Sequence, residues 1–188
     1  MITIGFLELN SISKGILAAD EMIKAADIAL IAARPSCPGK YQILITGEVS
    51  SVEAALDAGQ AASSSNVIDR LILPRIHPQV VEAINMSSAP ERLRALGVME
   101  FFSVTAAILA ADAAAKAADV DLLEIRLGTG IGGKSFVTMT GDVSAVSRLR
   151  GCRNKSAEGT GMVLDSVVIA HPDPELYQTS GCNHKFFS

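Results

Sequence analysis

The sequence predicts an α+β protein of two tandem domains, each with the element order βαββαβ followed by a short helix. The first observation is an internal repeat. Glu8–Asp27 (ELNSISKGILAADEMIKAAD) and Glu100–Asp119 (EFFSVTAAILAADAAAKAAD) lie 92 positions apart and share 11 of 20 residues. The second is that the match resumes at an offset of 94, where Gly39–Val52 (GKYQILITGEVSSV) faces Gly133–Val146 (GKSFVTMTGDVSAV). The third is length: 188 residues hold two such units, and a period this long marks a fused pair of folding units rather than a solenoid. The expected domains are residues 1–88 and 95–176, with a linker across 86–94 and a tail at 177–188.

Each element follows from local pattern. Ile2–Leu9 is apolar with β-branched residues and predicts a strand. Ser11-Ile12-Ser13 offers an N-cap, after which Ile16, Leu17, Ala19, Met22, Ile23 and Ala26 recur at helical spacing. Ile28–Ala33 is a near-continuous apolar run, as in a strand buried on both faces. Arg34–Lys40, with two prolines and a glycine, predicts a loop. Tyr41–Thr46 predicts a strand, Val49–Ala62 a helix, Val67–Leu73 a fourth strand and Pro78–Ile84 a short helix closing the first unit. The second copy predicts a strand at Gly97–Phe102, a helix at Val104–Ala118 and a strand at Asp121–Leu127. After a glycine loop come a strand at Ser135–Thr140, a helix at Val143–Leu149 and a strand at Ser166–Ile169. This order gives an antiparallel four-stranded sheet with helices on one face, the ferredoxin-like layer.

Bulk properties exclude several functions. Net charge is −4 with no long basic run, which argues against nucleic acid as the main partner. RNA binding on a sheet face also wants exposed aromatics, and only 4% of the residues are aromatic. No apolar stretch reaches the roughly 18 residues of a membrane span, and MITIGFLELN does not have the form of a secretory signal. Three cysteines, at 37, 152 and 182, make no spaced framework and favour a reducing, cytoplasmic compartment. Hydrophobic residues make up 49% of the chain, much of it alanine. Units of this size are marginal alone, so burial against the sister unit and against other chains is expected.

The copies disagree most at one loop. The first carries Ser36-Cys37-Pro38-Gly39-Lys40 and the second Gly130-Ile131-Gly132-Gly133-Lys134. A lone cysteine is most often a small buried hydrophobe. Here Pro35 and Pro38 stiffen the segment and Gly39 allows a tight turn, which suits an exposed rim. One thiolate cannot hold a metal cluster, whereas a threefold oligomer would supply three at its axis. The glycine run Leu127–Lys134 is not a phosphate loop, because Gly133-Lys134-Ser135 leads into a strand rather than a helix. It reads as backbone lining a narrow opening. Lys24 and Lys116 end their helices in K-A-A-D, with Asp20 and Asp112 as i,i+4 partners; locally both read as solvated, dipole-favoured lysines. His77-Pro78 and His171-Pro172 read as turn punctuation, Cys152 as a bland thiol, and Cys182 with His184 as a weak metal candidate. No Ser/His/Asp or paired-carboxylate constellation is recognisable.

On these residues the chain resembles the bacterial microcompartment shell proteins, in the tandem-domain type that forms trimers. The resemblance covers roughly residues 2–176. It rests on Gly5-Phe6-Leu7-Glu8-Leu9, Ala18-Ala19-Asp20, Lys24-Ala25-Ala26-Asp27, Thr46-Gly47-Glu48-Val49, Leu73-Pro74-Arg75-Ile76-His77-Pro78 and their second-copy echoes. It implies two BMC domains per chain and a flat pseudo-hexameric homotrimer that tiles with other shell proteins around encapsulated enzymes. It implies edge contacts by Lys24, Arg75 and Lys116; the second copy has Ile169-Ala170-His171-Pro172 and lacks the arginine. In the subclass with a Cys-Pro-Gly-Lys loop and a Gly-Ile-Gly-Gly-Lys loop, three pore cysteines hold one [4Fe–4S] cluster per trimer. That implies Cys37 as ligand within Ser36, Cys37, Pro38 and Gly39, with Gly130, Ile131, Gly132 and Gly133 as the second pore loop. The implied role is an electron-carrying tile in the shell, serving an encapsulated or cytosolic redox protein, with no bond-making chemistry of its own. Two other readings stay open: a tile without a cluster whose pore passes small metabolites, and a ligand-binding regulatory module.

Overall fold

The computed structural model describes residues 2–88, 93–151, 163–173 and 175–176. Two compact units result. The first comprises Met1–Ile76 together with Gly128–Gly133; the second comprises His77–Leu127 and the described residues from Lys134 onward.

The first unit contains β1 (Thr3–Leu9), α1 (Ile12–Ala25), β2 (Ile28–Ser36), β3 (Lys40–Gly47), α2 (Val49–Ser63) and β4 (Val67–Leu73), with a short 3-10 turn before β4. The strands lie in the order β2-β3-β1-β4, every pair antiparallel. This is the ferredoxin-like arrangement that the sequence predicts. α1 starts where Ser11 Oγ accepts a hydrogen bond from the Lys14 amide, which satisfies one of the free donors of the first turn. One sheet face carries Leu7, Leu9, Ile43 and Ile45 against Ala18, Met22, Val52, Ala55 and Leu56 of the helices, all fully buried. The helices approach this face closely. A Cβ on Gly59 would lie 2.6 Å from Met22 Cγ, and one on Gly5 would lie 2.6 Å from Val52 Cγ1.

The second unit repeats the scheme with β5 (Ala95–Phe101), α4 (Val104–Ala117), β6 (Val120–Leu127), β7 (Ser135–Gly141), α5 (Val143–Gly151) and β8 (Val163–Ile169) in the order β6-β7-β5-β8. Ser103 caps α4 as Ser11 caps α1.

Three boundaries differ from expectation. β2 continues through Arg34 and Pro35 to Ser36, so the expected seven-residue loop shrinks to Cys37-Pro38-Gly39. β2 is an edge strand, where the missing N–H of Pro35 breaks no ladder. β8 starts at Val163, in a segment whose polar approach hid the strand. The short helix α3 (Pro78–Ile84) packs on β6 and α4 of the second unit instead of closing the first. The reason is polar. The His77 amide donates to Asp112 Oδ1 at 2.8 Å, and the Leu122 amide donates to Gln79 Oε1 at 3.2 Å. The tail 177–188, Cys152, Cys182 and His184 lie outside the described residues.

Candidate functional site

β2 and β3 form a hairpin whose tip is Cys37-Pro38-Gly39. Ser36 pairs with Lys40 across it, the Cys37–Pro38 bond is cis, and Gly39 closes the turn at φ +71°, a left-handed conformation that glycine adopts without strain. Cys37 is half-buried; Pro38 and Gly39 are exposed.

A buried polar network anchors this tip from below. Glu8, on β1, accepts from Lys40 Nζ at 2.8 Å and from Gln42 Nε2 at 3.1 Å. Gln42 Nε2 also donates to Ser36 Oγ at 3.1 Å. The register explains the grouping: Glu8 lies opposite Gln42, and Gln42 opposite Arg34, so the side chains flanking the tip share one sheet face. Ser36 and Gln42 are buried, and Gln42 Oε1 has no hydrogen-bond partner.

The glycine loop belongs to this same unit. Gly128, Gly130, Gly132 and Gly133 all have positive φ. At Gly128 a Cβ would sit 2.8 Å from Ser36 Oγ; at Gly133 one would sit 2.8 Å from the Cys37 carbonyl oxygen and 3.3 Å from Pro38 Cδ. Gly130 and Gly132 face open space. The two specialised loops, one from each copy, therefore lie side by side. The residue pattern singled out each loop separately, the resemblance implied that both line one pore, and neither revealed the Glu8–Lys40–Gln42–Ser36 anchor. The signal for the anchor was present. Glu8 recurs as Glu100 and Lys40 as Lys134, while Gln42 is replaced by Phe136. In the second copy Lys134 and Glu100 are 3.6 Å apart, and each side chain is about half exposed. Phe136 instead lies beneath the Arg126 guanidinium, which pairs with buried Glu124.

The three expected edge residues make none of these contacts. Lys24 is exposed at the end of α1 and pairs with Asp20 and, at 3.8 Å, with Glu21. Its hydrogen bond to Asp20, and then the charge of that carboxylate, raise its pKa above the ordinary 10.5. Arg75 is exposed in the turn after β4 with φ +55°, a conformation uncommon for a side-chain-bearing residue. Lys116 pairs with Asp112, which unlike Asp20 is buried and also receives the His77 amide.

The family model for the BMC domain matches residues 3–76 and 95–172. The chain belongs to the BMC domain family. Its BMC domains coincide with the two copies of the sequence repeat. It is 37% identical over 175 residues to the bacterial microcompartment shell protein PduT of Citrobacter freundii, across 93% of this chain and 95% of that protein. The shell protein PduA of Citrobacter freundii is 33% identical over 79 residues, 41% of this chain and 85% of that protein, the length of one BMC domain. A microcompartments protein from Desulfitobacterium hafniense DCB, solved by crystallography, has 48% identity and a TM-score of 0.88, over 94% of this chain and 98% of that one. The chain is a structural tile of the microcompartment shell. Among the described residues, no helix is long and apolar enough to cross a membrane, and no group of three His, Cys, Asp or Glu side chains could hold a metal within one chain.

Proposed function

We propose that this shell tile is a homotrimer in which Cys37 of three chains lines the central pore and holds one [4Fe–4S] cluster. The observation that supports this is the built hairpin tip: a half-buried thiol on a short turn, anchored by the Glu8 network and flanked by a glycine-rich loop. Among the described residues one chain offers a single cysteine, and a cluster takes three or four, so the donor chemistry fits with three copies. Bound there, the group would supply one-electron transfer through the shell wall, toward a redox protein on either side. The protein's own residues fix the tip (Ser36, Gln42, Glu8, Lys40); in the second pore loop, Gly130–Gly133, Gly133 lies against the tip while Gly130 and Gly132 face open space. Lys24, Arg75 and Lys116 are the residues we assign to edge contacts with neighbouring shell proteins. Lys24 and Arg75 are exposed, and Arg75 sits in a left-handed turn after β4.

The test is anaerobic purification, native mass spectrometry, iron and sulfide analysis and an absorption spectrum, beside Cys37→Ser. The expected result is a trimer with about four irons, lost in Cys37→Ser while the trimer persists. An iron-free trimer after reconstitution overturns the cluster and leaves a tile whose pore passes small metabolites.

A further inference from the structure

The two copies differ on the outer face of their first helix. α4 turns Val104, Ala107, Ile108, Ala111, Asp112 and Ala114 inward. Its opposite face carries Ala106, Leu109, Ala113 and Ala117 at helical spacing, and Phe102 precedes them in the bend that enters the helix. Phe102 is 60% exposed and Leu109 40%; Ala113 and Ala117 are exposed and Ala106 is half-buried. Lys116, on the flank of this stripe, is paired with Asp112. A helix that is apolar all round is covered all round. α1 shows the same face built for water. The counterparts of Phe102, Ala106 and Ala113 are Asn10, Lys14 and Glu21, while Leu17 and Ala25 answer Leu109 and Ala117. A face that is charged in one copy of the repeat is not consumed by the contacts that both copies make within a ring. The apolar face of α4 therefore takes its occupant from outside the ring.

Size and pattern point to a second copy of the same face. The stripe from Phe102 to Ala117 is about 24 Å long and about 10 Å wide, so two of them laid together bury about 500 Å². That is half of the roughly 1,000 Å² a specific contact requires, whereas three such pairs, about 1,500 Å², exceed it. The pattern also fits itself. About a twofold axis running along the helices, Ala106 and Ala113 each meet their own copy and let the backbones approach. Leu109, on one side of the stripe, then lies over Ala110 of the second copy, on the other side of its stripe. No unpaired charge is buried, since Lys116 keeps Asp112.

We infer that two rings of this chain pair through their α4 faces, with Phe102, Ala106, Leu109, Ala113 and Ala117 of each chain in register against the same residues of a second copy. The direction follows from the loop site. Phe101 pairs with Ser135, the residue that follows the glycine loop, so α4 starts at the pore end of its sheet and runs toward Lys116. Rings sharing one axis bring such helices together pointing the same way, and the contact is isologous and closes. For its three pairs per contact the inference rests on the trimer reading.

The experiment follows the native mass of the full chain over a dilution series, beside disulfide trapping of Ala113→Cys with diamide and peptide mapping. Glu21→Cys, the matching position of α1, is the control. The expected results are a mass that doubles from three chains to six as concentration rises, and a link from position 113 to position 113 of a second copy. Glu21→Cys should stay unlinked. Phe102→Ser with Leu109→Glu should keep the ring and its circular dichroism spectrum while raising the concentration needed for doubling roughly tenfold or more. A missing 113–113 link, a link from 113 to any other segment, an equal link from position 21, or undiminished doubling in the double variant overturns the inference. Doubling of a ring with another number of chains keeps this surface and sinks the trimer reading. A ring of three that never doubles sinks the pairing and leaves the trimer.

Discussion

Glu8→Ala gives the sharpest test of how the cysteine tip is held, because the repeat supplies its own control in Glu100→Ala. Glu8 is buried and accepts from Lys40 at 2.8 Å and from Gln42 at 3.1 Å, while Glu100 and Lys134 stand 3.6 Å apart. Removing one partner of a buried ion pair costs about 3–5 kcal/mol, because the other charge is left unpaired. Lys40 has 26% of its side chain exposed and regains part of that loss through water. Gln42 keeps Ser36 but loses one acceptor, worth roughly 1 kcal/mol. The expected cost is therefore about 2–3 kcal/mol, weighted between a fully buried and an exposed pair. For a chain of this length that is a fall in Tm of about 5–10 °C. The exposed pair predicts under about 1 kcal/mol for Glu100→Ala, a fall of less than about 4 °C. Both are measured by thermal unfolding at one fixed protomer concentration, since assembly shifts apparent stability. The rate at which a disulfide reagent labels Cys37 should rise in Glu8→Ala and stay unchanged in Glu100→Ala. Equal Tm shifts in the two variants would refute the argument that burial of the pair sets its worth.

Gly133→Ala and Gly130→Ala share a left-handed backbone but not the same space. Gly130→Ala should cost about 1–2 kcal/mol and leave Cys37 labelling unchanged, whereas Gly133→Ala drives a methyl onto the Cys37 carbonyl and should alter that labelling as well. Asp112→Ala removes the acceptor of both the His77 amide and Lys116, and should lower Tm at every protein concentration, as thermal unfolding over a dilution series will report. Lys24 has a raised pKa in the folded chain, so its pairing is complete at neutral pH and fades only as pH climbs through that raised value. Asp20→Asn should return the Lys24 pKa toward 10.5, read by lysine side-chain NMR titration, and an unchanged titration would reject Asp20 as the main cause. Lys24→Ala should weaken sheet formation by the tiles without changing the native mass of the oligomer, checked by electron microscopy beside native mass spectrometry.

The elements were legible because repeat and periodicity agree: a signal in one copy is confirmed by its echo in the other. Cys37, Pro38 and the glycine run were legible as exceptions to that agreement. The extension of β2 to Ser36 was not, since two prolines nearby read as loop, and only knowledge that β2 lies at an edge makes Pro35 compatible with pairing. The Glu8–Gln42–Ser36 anchor depends on strand register, which local pattern does not carry across 34 residues. The attachment of α3 to the second unit was hidden for a similar reason. Its short sequence fits either domain, and the choice is made by Asp112 and Gln79 acting over 35 and 43 residues.

Joining the two copies in one chain lets their loops differ while lying side by side. Here the bulk has gone to one copy and the clearance to the other: the bare α-carbons of Gly128 and Gly133 lie against Ser36 and Cys37, where any side chain would collide. The second loop is thus the mould of the first. A substitution that changes what the cysteine hairpin can carry is permitted or forbidden by glycines nearly a hundred residues away in the other copy.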